Sequence, residues 1–336
     1  MAQGFALHQV GHVPFPLFGR AGDQQRGPPE VGHLFGEAHR LLRGAADIQA
    51  SDDPDNLQGC VGWHNKPLYN REMQVTGPLK SLGRRRLNRM ARFFLPSPRK
   101  GWRCLLYHVV APGECRDAGQ MQTPLALFER QMTYFSENGY RVIRCLELVQ
   151  KIREGAPPPP KTVAISFDDG DAGLFEHAFP VLQRYGFPAT VFLIARAEGR
   201  STLRWDQVRE MRQGGLIEFG CHGMTHRRLK GLSGSDLIQE TKGAKQDLED
   251  ALGFEVPLFA YPFGAYDSWD PSAAWAVAQA GFLGAFTSVY GVNRPRTDPY
   301  LLRRTRVSWL DSFPHFRWLL EGAGDWYSWV QRTQGL

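Results

Sequence analysis

The stretch Val163-Ala-Ile-Ser-Phe-Asp-Asp-Gly170 decides how this chain is read. Its apolar run is short and follows Pro157 to Pro160, which predicts a buried parallel strand over Val163–Phe167 rather than a helix. Asp168 and Asp169 then stand at the C-terminal end of that strand, where α/β folds collect ligands and catalytic groups. Adjacent carboxylates repel each other, and a cation beside one of them relieves the cost. A second strand-like run, Gly215 to Cys221, leads directly into His222-Gly-Met-Thr-His226. In a barrel both strand ends open into the same mouth. Taken singly, each word has a plainer meaning. Asp-Asp-Gly is a common turn, and a His-x-x-x-His pair is commonly two unrelated surface residues. Their conjunction points to a metal site with its own base.

From Gly101 onward, apolar runs alternate with helical periods. The runs are Cys104 to Val110, Tyr140 to Ile143, Val163 to Phe167, Ala189 to Ile194, Ile217 to Cys221, Leu258 to Tyr261, Gly284 to Thr287 and Leu301 to Val307. Leu125, Phe128, Met132 and Phe135 repeat at helical spacing after Thr123-Pro124, read as cap and first turn. Ser233 with Asp236 reads as a capping box opening a helix that Gly253 closes, and Ala273 to Ala280 as a helix ended by Gly281. The alternation predicts a parallel α/β sheet long enough to bury a barrel core.

Residues 1 to 100 differ. Gly, Pro, His, Arg and Gln recur there without sustained period, too little apolar surface to offset chain entropy, so a largely disordered region is expected. Met90 is a candidate alternative start. The net charge of +6 owes much to Arg84-Arg-Arg86, Arg89, Arg92, Arg99 and Lys100. No aromatic stacking words or helix-turn-helix pattern accompany this run, so it reads as a solvated linker and nucleic acid is excluded as a partner. No apolar run reaches membrane-span length, and Phe93-Phe-Leu95 is too short for a signal-peptide core, which makes the cytoplasm the expected location. Five cysteines without a Cys-x-x-Cys spacing predict a reduced, disulfide-free protein. Strand alternation turns Cys221 away from His222, into the core.

In order and spacing, Ile165-Ser-Phe-Asp-Asp-Gly170, His222-Gly-Met-Thr-His226 and Phe259-Ala-Tyr-Pro-Phe-Gly264 resemble the first three motifs of the polysaccharide deacetylase family, the NodB-homology or carbohydrate esterase family 4 domain. Leu105-Leu-Tyr-His-Val109, Phe187-Pro-Ala-Thr-Val-Phe-Leu193 and Trp205-Asp206 are similar to further family words. The resemblance implies a deformed (β/α) barrel of about seven strands over residues 101–325. It implies Asp168 as general base, and Asp169, His222 and His226 as ligands of one divalent metal ion, zinc or else cobalt or nickel. It implies that Tyr261, Pro262, Phe263 and Gly264 wall the substrate groove, with the Phe263 backbone N–H as oxyanion donor. Two departures stand out. Ala260 occupies the place of an Arg that orients the base, and Leu302 to Ser308 lacks the Leu-x-His that supplies a general acid. Arg304 is the candidate replacement for the first, and His108 and His315 are candidates for the second. Tyr261, Phe263, Tyr266 and Trp269 suit stacking on sugar faces.

The expected function is therefore metal-dependent removal of N-acetyl groups from amino-sugar units of a polysaccharide or glycan precursor, with an N-acetylated glycan as partner. A catalytically impaired carbohydrate-binding protein on the same fold and an O-acetyl polysaccharide esterase are the alternatives.

Overall fold

The computed structural model describes residues 101–113, 121–197, 200–308, 311–322 and 324–334. The low-order region expected through residue 100 lies outside them, as do Cys60 and Cys115. Ten strands form among the described residues: β1 (Arg103–Tyr107), β2 (Val109–Ala111), β3 (Gln122–Pro124), β4 (Arg141–Ile143), β5 (Thr162–Phe167), β6 (Ala189–Leu193), β7 (Ile217–Cys221), β8 (Leu258–Ala260), β9 (Gly284–Phe286) and β10 (Thr305–Arg306). The main sheet is parallel in the order β10-β1-β5-β6-β7-β8-β9, with β4 also on β5, and β2 pairs with β3 apart from it.

The sheet curls into a deformed (β/α) barrel whose two edges meet through the segment that ends in β10. Leu302 bridges Phe286 at one edge, while Thr305 and Arg306 register against Leu105 and Leu106 at the other. The run Leu301 to Val307 is consequently not one strand. It hands over from β9 to β1, and the backbone N–H of Arg304 between them donates to Val289 O at 3.1 Å. The run Cys104 to Val110 is likewise broken, ending as β1 at Tyr107 and resuming as β2 at Val109 with a different partner.

Period-2 alternation sorts the strands into two faces. Cys104, Ala164, Phe192, Leu258, Ala260, Phe286 and Leu302 form an inner core, plugged by α2 residues Cys145, Leu148, Val149 and Ile152; here α1 is Leu125–Glu137 and α2 is Cys145–Arg153. Leu105, Tyr107, Ile165, Phe167, Val191, Phe219, Cys221 and Phe259 belong to the larger core that faces the helices, where α1 contributes Phe128, Met132 and Phe135. Buried Cys221 lies on that outer side and its thiol is pushed up to about 12 by burial, so it packs as an apolar group. Cys104, Cys145 and Cys221 are free thiols.

Local signals hold with adjustments. Pro124 itself is the N-cap of α1, because a residue before proline is driven into extended backbone and Thr123 joins β3. Ser233 Oγ accepts from the Asp236 N–H at 3.2 Å, but Asp236 turns to Arg227 instead of completing a box. The helix it opens runs through a π-turn at Gln239–Gly243 before Gly253, at φ 74°, closes it. Asp270 caps Pro271–Gln279 by accepting from the Ala273 N–H at 2.9 Å.

Inside the barrel, Gly220 is where β7 allows the Phe192 ring to fill the centre. A Cβ there would stand 2.5 Å from Phe192 Cδ1 and 3.1 Å from Leu258 O. Gly220→Ala should therefore cost about 1–3 kcal/mol by overpacking, measured as a lower midpoint in urea unfolding. An unchanged midpoint would mean that the ring has room to move.

Candidate active site

The inner face of β5 runs Ala164, Ser166, Asp168, and that of β7 runs Glu218, Gly220, His222, so alternation carries both functional side chains to the barrel mouth. Each is the first residue beyond its strand and is still held by the ladder. The Asp168 N–H donates to Tyr107 O at 3.0 Å and the His222 N–H to Leu193 O at 2.7 Å. After Asp168 the chain turns sharply, with Asp169 at φ 69° and Gly170 at φ 66°. The Asp-Asp-Gly is thus a turn as well, and the turn is what swings Asp169 back toward the histidines. Non-glycine residues in left-handed backbone are Lys161, Asp169, His226 and Phe263 among those described. Three of these four sit at this mouth, the distribution expected where local strain is kept for function.

Asp168 is almost wholly buried and is gripped by Arg304, whose Nη1 and Nη2 donate to its two carboxylate oxygens at 2.6 and 2.7 Å. Arg304 is fully buried, and it also donates to Thr287 O at 2.9 Å and Ser166 Oγ at 3.3 Å. Burial pushes the Asp168 carboxyl up, but the guanidinium and His222 outweigh it, so its pKa lies below the usual carboxylate range. Ala260, in the place expected of an arginine, is buried in the inner core. Its carbonyl instead takes a hydrogen bond from His222 Nδ1 at 2.8 Å.

That bond fixes the His222 tautomer with Nε2 carrying a lone pair toward the mouth. His222 Nε2 lies 3.6 Å, and His226 Nε2 3.3 Å, from Asp169 Oδ1. Asp169 Oδ1 is buried without a hydrogen bond of good geometry among the described residues. One ligand atom from each residue falls within a 4.8 Å group. Ligands about 2.1 Å from one tetrahedral ion stand about 3.4 Å apart. The orphaned oxygen and two imidazole nitrogens therefore fit a borderline divalent cation. Burial lowers the proton affinity of His222, and nearby His226 and His222 hold Asp169 below the carboxylate range against its burial. Both shifts leave lone pairs available to a metal.

The polysaccharide deacetylase profile matches residues 155–284. The Bacillus subtilis protein YxkH, which carries the family's name, is 29% identical over 205 residues, 61% of this chain and 70% of its own. The poly-beta-1,6-N-acetyl-D-glucosamine N-deacetylase of Staphylococcus epidermidis is 28% identical over 195 residues, 54% of this chain and 66% of its own. The Streptococcus pyogenes deacetylase PplD, solved with acetate, superposes with a TM-score of 0.60 at 22% identity over 67% of this chain and 100% of that one. Residues 155–284 of the chain are a polysaccharide deacetylase domain. It is a hydrolase acting on carbon–nitrogen bonds other than peptide bonds.

In this deacetylase, Phe263 is 37% exposed and its ring centroid lies 4.7 Å from that of His226. Pro262 and Gly264 are buried beside it. Gly264 has no room for a side chain, because a Cβ would stand 2.5 Å from the Ser288 nitrogen. Tyr261 departs from the expected stacking role. It is fully buried, packs on Phe259 and Trp269, and donates its hydroxyl to Tyr300 O at 3.0 Å, so its ring is not offered to a sugar. The reason is parity, since Tyr261 continues the helix-facing side of β8 after Phe259. Tyr266 and Trp269 are half-buried, with ring centroids 5.9 Å apart.

The two candidate histidines part company. His108 follows β1, is buried, and feels Asp168 and Asp169; burial nevertheless holds its pKa down to about 4. Its Nδ1 has no hydrogen-bond partner among the described residues. His315 lies on the helix Phe313–Leu320 and is paired with Asp311 at 3.3 Å. Two further groups at the mouth escaped sequence reasoning. Arg200 Nη1 lies 3.7 Å from Asp169 Oδ1, and Glu240 is buried behind the histidine loop. An acid on the apolar stripe of Leu237, Ala244 and Leu248 was the available signal for Glu240. Arg200 left none.

Proposed function

We propose that this deacetylase removes N-acetyl groups from amino-sugar units of a glycan, with Asp169, His222 and His226 holding one divalent cation and Asp168 as the base. The observation that carries the reading is the pairing of an arginine-held, ionised Asp168 with an adjacent three-ligand cluster at the same mouth. The Staphylococcus epidermidis relative named for poly-beta-1,6-N-acetyl-D-glucosamine supports an N-acetylglucosamine polymer as the substrate class.

A divalent ion bound there supplies Lewis acidity, lowering the pKa of a water and polarising a carbonyl. Arg304 orients the Asp168 carboxylate so that a lone pair faces the attacking water, and Asp168 takes the proton released on attack. The Phe263 N–H faces the developing oxyanion, where a fixed backbone donor stabilises the charge. His108 is the favoured donor to the leaving amine over His315, which is paired with Asp311, because His108 follows β1 beside the end of β5 that carries Asp168. Neutral at rest, it receives the proton that Asp168 has acquired and passes it on, so that the water ends as hydroxyl on acetate and hydrogen on the amine.

The test is acetate release from N-acetylglucosamine oligomers by the full chain, before and after chelation. Release should stop on metal removal and return with zinc, cobalt or nickel. Asp169→Ala should lose both the metal and the release. Undiminished release from metal-free protein would exclude the metal reading, and release from O-acetylated xylan alone would make the esterase reading correct.

A further inference from the structure

We propose that Glu240 is a positioning residue that holds the histidine loop in its ligating shape; this rests on the metal reading above. Its carboxylate is buried and comes from the π-turn at Gln239–Gly243. Oε2 accepts from the backbone N–H of Met224 at 2.9 Å and of Thr225 at 3.1 Å, and Oε1 accepts from the Thr225 hydroxyl at 2.5 Å. All three donors lie between His222 and His226. One carboxylate therefore binds two of the three residues that separate the two imidazoles.

The surroundings are shaped to this contact. Gly223 runs at φ 83°, and a Cβ on it would stand 3.1 Å from Glu240 Oε2 and 3.2 Å from Pro262 Cγ. Glycine thus lets the loop lie flat between the carboxylate and the segment that carries Phe263. His226 sits at φ 64°, a conformation that costs a β-carbon residue free energy unless neighbouring bonds over-determine it. The bonds to Met224 and Thr225 are placed immediately before it. The π-turn has its own part, since the extra residue in a wide turn re-aims the side chains around it. Glu240 and Thr241 are both buried there, with the Thr241 hydroxyl returned to Leu237 O at 2.6 Å. A carboxylate suits this place because it only accepts, and it meets only donors.

Glu240→Gln keeps the volume and one accepting oxygen but turns an NH2 toward loop donors. In the full chain we expect unchanged far-ultraviolet circular dichroism and cooperative unfolding, with zinc affinity, measured against a chromophoric chelator, falling about 10–100-fold. The visible absorption of the cobalt-loaded variant should shift as the ligand geometry relaxes. Thr225→Val, which removes the 2.5 Å bond at an exposed residue and leaves the two backbone bonds, should weaken zinc by a smaller factor. Thr225→Ser should restore it. Wild-type zinc affinity and an unaltered cobalt spectrum in both Glu240→Gln and Thr225→Val would overturn the positioning role and leave the metal reading standing. Failure of the wild-type chain to bind zinc or cobalt would overturn both. Should Glu240→Gln fail to fold, the Thr225 pair decides: equal affinity in Val and Ser overturns the proposal, and rescue by Ser upholds it.

Discussion

Asp168→Asn should lower kcat/KM for acetate release by about 10²–10⁴ while zinc occupancy stays at the wild-type level. The substitution nearly preserves volume and removes the ability to take a proton. Metal retention is expected because the atoms assigned to the ion belong to Asp169, His222 and His226. Some stability is lost as well. Arg304 now donates to both carboxylate oxygens of Asp168, and an amide nitrogen facing one of those donors leaves a buried group unsatisfied, at about 1–3 kcal/mol. Kinetics should accordingly be measured below the variant's unfolding transition, with zinc counted in the same sample. The contrast with Asp169→Ala separates a base from a ligand. A wild-type chain that binds zinc and acetylated oligosaccharide yet releases no acetate above the Asp168→Asn background would be a carbohydrate-binding protein on this fold.

Arg304→Leu should be the most damaging single change to the folded state described here. The guanidinium is fully buried and its removal strands the Asp168 carboxylate and Thr287 O together, while Ser166 Oγ keeps its bond to Leu105 O. Breaking one partner out of a buried ion pair costs about 3–5 kcal/mol, read as a large drop in the urea midpoint. Activity should fall with it, because a carboxylate without its guanidinium is free to rotate or to take up a proton. Arg304→Lys should recover part of the stability but little of the activity, since a point charge cannot reproduce two parallel bonds to one carboxylate. Because the pair is in contact, the double variant Asp168→Leu, Arg304→Leu should cost less than the two single leucine variants added together. Strict additivity would show that the two residues are not coupled and would remove Arg304 from the proposed machinery.

Whatever depends on neighbours along the chain was legible in the residues themselves. The apolar run Val163–Phe167 ends at two acids, and alternation alone decides that Asp168 faces the barrel interior while Cys221 faces away from it. The alternation likewise determined a parallel α/β sheet, and the barrel form was implied by the family that the order of the motifs resembles. Closure was decided elsewhere. Leu301 to Val307 reads as one strand in sequence, yet it crosses from β9 to β1, because the barrel's last segment must satisfy two edges at once. That crossing brings Arg304 onto Asp168, 136 residues away, in place of the arginine absent at Ala260. Tyr261, by contrast, follows parity along β8: its ring continues the helix-facing side after Phe259 and packs on Trp269, although the motif assigns the residue to the groove. Glu240 reaches the histidine loop only through the register of a π-turn. Periodicity and local bonding are properties of short segments and survive in the text. Which distant charge neutralises a buried carboxylate depends on how the sheet closes, and only the tertiary structure determines that.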